Sequence, residues 1–306
     1  NSIIGKKQIN SYLNESHSQY LDINYLKAIF LWTSIEQYNI DQINIENWSQ
    51  YKLELQERVG IDQRFISRII TRAKKDPKRV IYGEAHEVSI LKAAQQVIDQ
   101  RVAIPILLGN RTLIQQLIKE NELDLGKCEI IDPIEQEAKR QKYATQLFKL
   151  RQRKGMTHVQ AMKVMLNVNY FGVMMVNNGE ADAFISGISN DYPETIRPAL
   201  EIIGPEPGID RVAGMYILSN KNGNYFLSDT TVNLNPSSDQ LVDIIGLTAQ
   251  AVRFFDVEPR IAGLSYSNFG SAKGEIPKKM AKAVAKAQVK WPELLIDGEI
   301  QANVAL

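Results

Sequence analysis

The residues best suited to chemistry fall in four short segments, and the most informative runs ADAFISGISNDYPETIRPAL from Ala181 to Leu200. Ala183, Phe184 and Ile185 read as the end of a buried strand, and Gly187 lets the backbone turn sharply with its N–H groups open to an approaching anion. Asp191, Pro193 and Glu194 have the composition of a helix cap and first turn, which would bring the positive end of a helix dipole to the same place. Arg197 adds a fixed positive charge. A phosphate or another anion is the natural guest of Ser186, Gly187, Asn190 and Arg197, although the turn alone is also what a plain strand-to-helix loop looks like.

A second polar set, LSYSNFGSAK from Leu264 to Lys273, follows an apolar run. It offers Ser265, Ser267, Asn268, Ser271 and Lys273 as donors for phosphate, pyrophosphate or adenosine groups, against the plainer reading of a loop that caps the next helix. Asp229, Thr230 and Asn233 of DTTVNLNP are of the types that brace a loop through side chain to backbone bonds. Asp297 and Gln301 of DGEIQ have either role open. His86 sits in YGEAHE, where it can face a cleft, while His17 and His158 lie in unrelated contexts. Without an HExxH or a spaced cysteine pair, neither a metal site nor a Ser-His-Asp nucleophile is expected, and no GxGxxG follows a strand to hold a nicotinamide cofactor.

The elements that must position these residues alternate. Apolar positions from Trp48 to Lys75 recur at helical spacing among charges. Then come a strand at Arg79–Gly83, an amphipathic helix at Val88–Gln100, a strand at Ala103–Gly109, a helix at Thr112–Asn121 and a strand at Glu129–Ile131. This rhythm predicts a parallel sheet with helices on both faces and ligands beyond the carboxyl ends of the strands. After a basic helix from Ile134, a second subdomain is expected from Lys154. It would contain helices near Thr157–Leu166 and Tyr170–Asn178, the strand into Ser186, a helix from Glu194, a hairpin turning at SNKNGN, a long helix at Gln240–Phe255, a strand at Arg260–Ser265 and a helix at Pro277–Val289.

A chain of 306 residues, 44% hydrophobic, buries a large core and ordinarily divides into two domains. A net charge of +1 excludes global attraction to nucleic acid or acidic membranes, so only local electrostatics remain. The single cysteine, Cys128, excludes an internal disulfide framework and fits a cytoplasmic protein. The apolar run Tyr25–Trp32, with Lys27 inside it, is too short to span a bilayer.

Taken in order, the four motifs resemble the phosphotransacetylase superfamily (phosphate acetyl/butyryltransferase-like) from about Lys78 onward. They are most like the transferase-like domain at the carboxyl end of bacterial NADP-dependent malic enzymes, because NDYPETIRPAL stands where active transferases have a His- and Thr-rich turn. The resemblance implies an α/β fold: two-domain, three-layer αβα, with mainly parallel sheets and an interdomain cleft. It implies boundaries at 1–77 for a linker or helical region, 78–153 for a first subdomain whose completion lies beyond 306, and 154–306 for a second. It implies acetyl-CoA or a related acyl-CoA as ligand, a homodimer or larger homo-oligomer, and acetyl-CoA sensing for a malate-decarboxylating part outside this chain, where NADP and a divalent metal would bind. The alternative it implies is an active phosphate acetyltransferase, whose further Arg and Asp would follow DGEIQ. The expected ligand set is Ser186, Gly187, Asn190, Arg197, Ser267, Asn268, Ser271 and Lys273.

Overall fold

Successive side chains of the strands from Lys78 onward point to opposite faces, and both faces are buried toward the strand ends. The computed structural model describes residues 61–306 apart from 127, 207, 208 and 210. Helix α1 (Ile61–Lys75) leads into β1 (Lys78–Tyr82), α2 (Val88–Gln100), β2 (Ala103–Leu108), α3 (Arg111–Glu120) and β3 (Glu129–Ile131). Then come α4 (Glu137–Arg151), α5 (His158–Val164), α6 (Val168–Asn177), β4 (Ala183–Ile185) and α7 (Tyr192–Ile202). The four strands form a parallel sheet in the order β3-β2-β1-β4. Ile81, Ile106 and Leu108 point to one face, into a core with Tyr143, Leu147, Phe171 and Met174 of α4 and α6. Their neighbours Tyr82 and Leu107 point to the other, against Leu91 of α2 and Ile114 of α3. Helices thus cover both faces of a parallel sheet, as the alternating pattern requires.

The strand order also crosses the boundary expected near residue 154. Ala183, Phe184 and Ile185 pair with Val80, Ile81 and Tyr82, so β4 closes the sheet begun a hundred residues earlier. Residues 60–306 form one compact unit. Two glycines make this closure possible: a Cβ at Gly83 would lie 2.7 Å from the Phe184 ring, and one at Gly172 of α6 would lie 2.5 Å from it. The expected helical material between Trp48 and Gly60, the region 1–50, His17 and the run Tyr25–Trp32 lie outside the described residues.

The remainder comprises the antiparallel hairpin β5 (Met215–Asn220) and β6 (Gly223–Ser228), then α8 (Ser238–Phe254), β7 (Arg260–Leu264), α9 (Glu275–Lys290), β8 (Leu295–Ile300) and α10 (Ala302–Ala305). The hairpin turns where SNKNGN predicts, with the Asn220 side chain accepting from the N–H groups of Asn222 and Gly223. Phe226 of β6 packs on Phe65 of α1 and on Phe255. Strands β7 and β8 pair in parallel under α8 and α9, around Val242, Ile245, Val284 and Ile296. The Ser237 hydroxyl and the Gln240 side chain complete a capping box at the start of α8. Strand β8 runs through DGEI, a stretch singled out in the sequence for its polar residues and not for strand character.

Candidate functional site

Each of the three upstream motifs encloses a carboxylate of the protein itself. At the turn after β4, the four successive N–H groups of Gly187, Ile188, Ser189 and Asn190 donate to Glu84 over 2.7, 2.8, 2.8 and 3.1 Å. The Ser189 hydroxyl and the Asn190 side-chain amide donate to it as well, at 2.9 and 2.8 Å. Glu84 stands at the carboxyl end of β1 and is 1% exposed. Burial pushes its carboxyl upward, but the donors from Ile188, Ser189 and Gly187 outweigh burial and hold it down at about 2. The backbone N–H groups expected to be open to an external anion are therefore already turned onto an internal one.

Ser186 is also engaged, donating to Oδ1 of the buried Asn169 at 2.8 Å. Asp191 is the residue before α7, as the composition predicts, but it caps through its backbone carbonyl, which accepts from Glu194 and Thr195, and not through its side chain. Arg197 is exposed and makes no hydrogen bond or ion pair with another described residue. It lies near the Tyr170 hydroxyl, which donates to Glu201 at 2.8 Å. Burial and Glu201 raise that phenol to about 12, with Arg197 and Arg151 pulling the other way.

In the second loop Asp229 accepts from the N–H groups of Gly214, Val232 and Asn233 and from the Asn233 side chain. These donors overcome burial and lower its carboxyl. Asp229 and Asn233 thus brace the loop as their types suggest, with Asn233 also donating to the Val212 carbonyl. In the third loop Glu299, 3% exposed, accepts from the Gly270 N–H at 2.6 Å and the Ser267 hydroxyl at 3.1 Å. The Gly270 bond is the main reason its carboxyl is lowered, against burial and with help from Ser267. The Ser267 hydroxyl in turn accepts from Ala272, the Ser271 hydroxyl accepts from the Asn268 N–H, and the Asn268 side chain accepts from Gln301. Lys273 is exposed and unpaired among the described residues.

The motifs are linked, though not all by direct contact. The Thr231 hydroxyl donates to the Tyr192 hydroxyl at the start of α7 at 3.0 Å, joining the first and second loops. Lys279 of α9 donates to Asn235 at 2.7 Å, tying the second loop to the helix that follows the third. Among the described hydrogen bonds none joins Ser186–Asn190 directly to Ser267–Ser271. Residues suited to bind phosphate from outside are Arg197 and Lys273, whereas Ser186, Gly187, Asn190, Ser267, Asn268 and Ser271 spend much of their hydrogen-bonding capacity internally.

Within YGEAHE the structurally decisive residue is Glu84 and not His86. His86 is exposed beside Glu87, and His158 lies near Thr145 and Phe148. Among the described residues no group of three or more His, Cys, Asp or Glu side chains is placed to hold a metal ion, and no helix is long and apolar enough to cross a membrane.

Residues 64–306 match the family model described as phosphate acetyl/butaryl transferase. The chain belongs to this family. It is 38% identical over 233 residues to a phosphate acetyltransferase of Bacillus subtilis, covering 76% of this chain and 71% of that protein. It is 34% identical over 266 residues to an NADP-dependent malic enzyme of Salmonella typhimurium, covering 86% of this chain but only 35% of the enzyme. A solved phosphotransacetylase from Streptococcus pyogenes superposes with a TM-score of 0.72 at 29% identity, over 79% of this chain and 74% of that one. The recognised motifs and the α/β architecture of this family are thus both present here, while the chain spans about a third of the malic enzyme that it resembles.

Proposed function

We propose that this region is an acetyl-CoA receptor of the phosphotransacetylase type, serving as the regulatory and oligomerisation part of a cytoplasmic NADP-dependent malic enzyme. In this reading a part outside this chain decarboxylates malate oxidatively to pyruvate and holds the NADP and the divalent metal. Acetyl-CoA changes that activity by binding two states of the homo-oligomer unequally, since a ligand of equal affinity for both shifts nothing. Arg197 and Lys273 take the phosphate-bearing parts of the CoA ester, with Ser186, Gly187, Asn190, Ser267, Asn268 and Ser271 forming the rigid loops around it.

The observation that carries the preference for binding over turnover is the state of the loop carboxylates. Moving an acetyl group between CoA and phosphate calls for a group that accepts the thiol proton, and such a group works best with a pKa near the operating pH. Glu84 accepts six hydrogen bonds from its own turn, and Asp229 and Glu299 are likewise engaged by donors of their loops, so none of the three is free to take a thiol proton. The alternative, an active phosphate acetyltransferase converting acetyl-CoA and phosphate to acetyl phosphate and CoA, is favoured by the 71% coverage of the Bacillus subtilis relative.

Calorimetric titration of acetyl-CoA into the protein, beside an assay of phosphate-dependent acetyl transfer, separates the readings. Binding without acetyl phosphate formation supports the receptor. Turnover establishes the transferase, and absence of both overturns each. Arg197→Ala should weaken acetyl-CoA binding by about 1.5–3 kcal/mol if its contact is a charge-assisted one; unchanged affinity in a folded variant removes Arg197 from the site.

A further inference from the structure

The turn after β4 has the form of an anion nest, with successive N–H groups converging on one point just before a helix, an arrangement that elsewhere cradles a phosphate. Here the point is filled from within. Glu84 Oε2 accepts from Gly187 and Ile188, and Oε1 from both the backbone and the side chain of Ser189 and of Asn190. A carboxylate offers about four lone-pair sites, so six donors leave nothing for a donor from outside. Glu84 is buried, and no side-chain cation pairs with it among the described residues. Its charge is balanced by backbone dipoles and two neutral side chains.

We propose that Glu84 is a positioning residue that acts as the resident anion of the Gly187–Asn190 turn. It fixes the shape of the turn, sets where α7 starts and hence where Arg197 stands, and keeps external phosphate out of the nest. The ligand's phosphates are then taken by exposed cationic side chains, while the turn meets an uncharged portion of the ligand through Ile188, 57% exposed. The identity of that ligand rests on the acyl-CoA reading; the resident anion does not.

The test uses Glu84→Ala with and without excess sodium formate, a carboxylate small enough for the vacated space. In Glu84→Ala the amides of residues 187–190 should exchange with solvent at least about tenfold faster than in the parent protein. Acetyl-CoA affinity should fall about tenfold, and formate should restore both. In the parent protein neither formate nor inorganic phosphate should change exchange at residues 187–190. Unaltered exchange at residues 187–190, or failure of formate to slow it in a folded variant, overturns the proposal. Should Glu84→Ala not fold, Glu84→Gln decides: its amide group faces donors, so at least two of the four backbone amides must lose protection, and full protection of all four refutes the role. A parent protein that ignores acetyl-CoA while the exchange and formate results hold would instead remove the acyl-CoA reading and leave the resident anion in place.

Discussion

Acid should weaken this protein through Glu84 in a way that one substitution exposes. Its folded carboxyl lies at about 2 against an ordinary 4.5. A depressed folded value means stability that is complete above the unfolded pKa and lost as the pH falls from about 4.5 toward 2. The full gap corresponds to roughly 3 kcal/mol at about 1.36 kcal/mol per pH unit. The loss between pH 7 and 3.5 comes mainly from protonation of the unfolded chain and amounts to about 1 kcal/mol. Other lowered carboxyls, including Asp182, Asp229 and Glu299, add their own acid sensitivity. They cancel when the parent protein is compared with Glu84→Gln at each pH. The measurement is urea unfolding of both proteins at pH 7 and at about pH 3.5, followed by circular dichroism and fluorescence, whose coincidence establishes a single transition. The stability gap between the two proteins should shrink by about 1 kcal/mol on acidification. A gap that is the same at both pH values would refute the reasoning, because the turn would then not be stabilising the ionised form of Glu84.

Two further substitutions probe the frame around the site. Gly172→Ala places a Cβ 2.5 Å from the Phe184 ring and 3.2 Å from Leu108. Overpacking of this kind costs about 1–3 kcal/mol and exceeds or cancels the gain of about 1 kcal/mol that alanine brings to a helix, so urea unfolding should show no stabilisation and a loss of up to about 2 kcal/mol. A clear stabilisation would mean that Phe184 has room to move. Ser237→Ala removes the capping box of α8 and should lower stability by about 1 kcal/mol without altering acetyl-CoA affinity measured by calorimetry; lost affinity would show that α8 helps to shape the ligand site.

What the sequence discloses and what it conceals divide along physical lines. Helix α2 falls at Val88–Gln100 in both sequence and structure, and β1 and β2 lie within a residue or so of their expected ends, because local periodicity and terminal glycines carry that information. The hairpin is equally local, since its turn chemistry is contained in a few residues. Strand β8 is obscured because Asp297, Gly298 and Glu299 interrupt its apolar pattern. The pairing of β4 with β1 is hidden for a different reason: AFI is too short to name its partner, and adjacency in sequence favours grouping it with the helices that follow. The same separation conceals Glu84. The Ser-Gly turn is legible as an N–H nest, but a single acidic residue about a hundred positions earlier gives no local sign that it fills it. The donors of the turn are therefore readable from its residues, and what they already hold is not.

The bonds from Gly187, Ile188, Ser189 and Asn190 back to Glu84 span 103 to 106 residues of chain. During synthesis from the amino end, β1, β2 and β3 can pair long before β4 exists, leaving the edge of β1 unpaired and Glu84 hydrated. Only when the segment through Asn190 arrives can that carboxylate exchange water for the turn's N–H groups, and closing so long a loop is entropically costly and slow. The last strand of the sheet and the first loop of the site therefore assemble in one late step. Until that segment arrives, the β1 edge stays open to pairing with other chains.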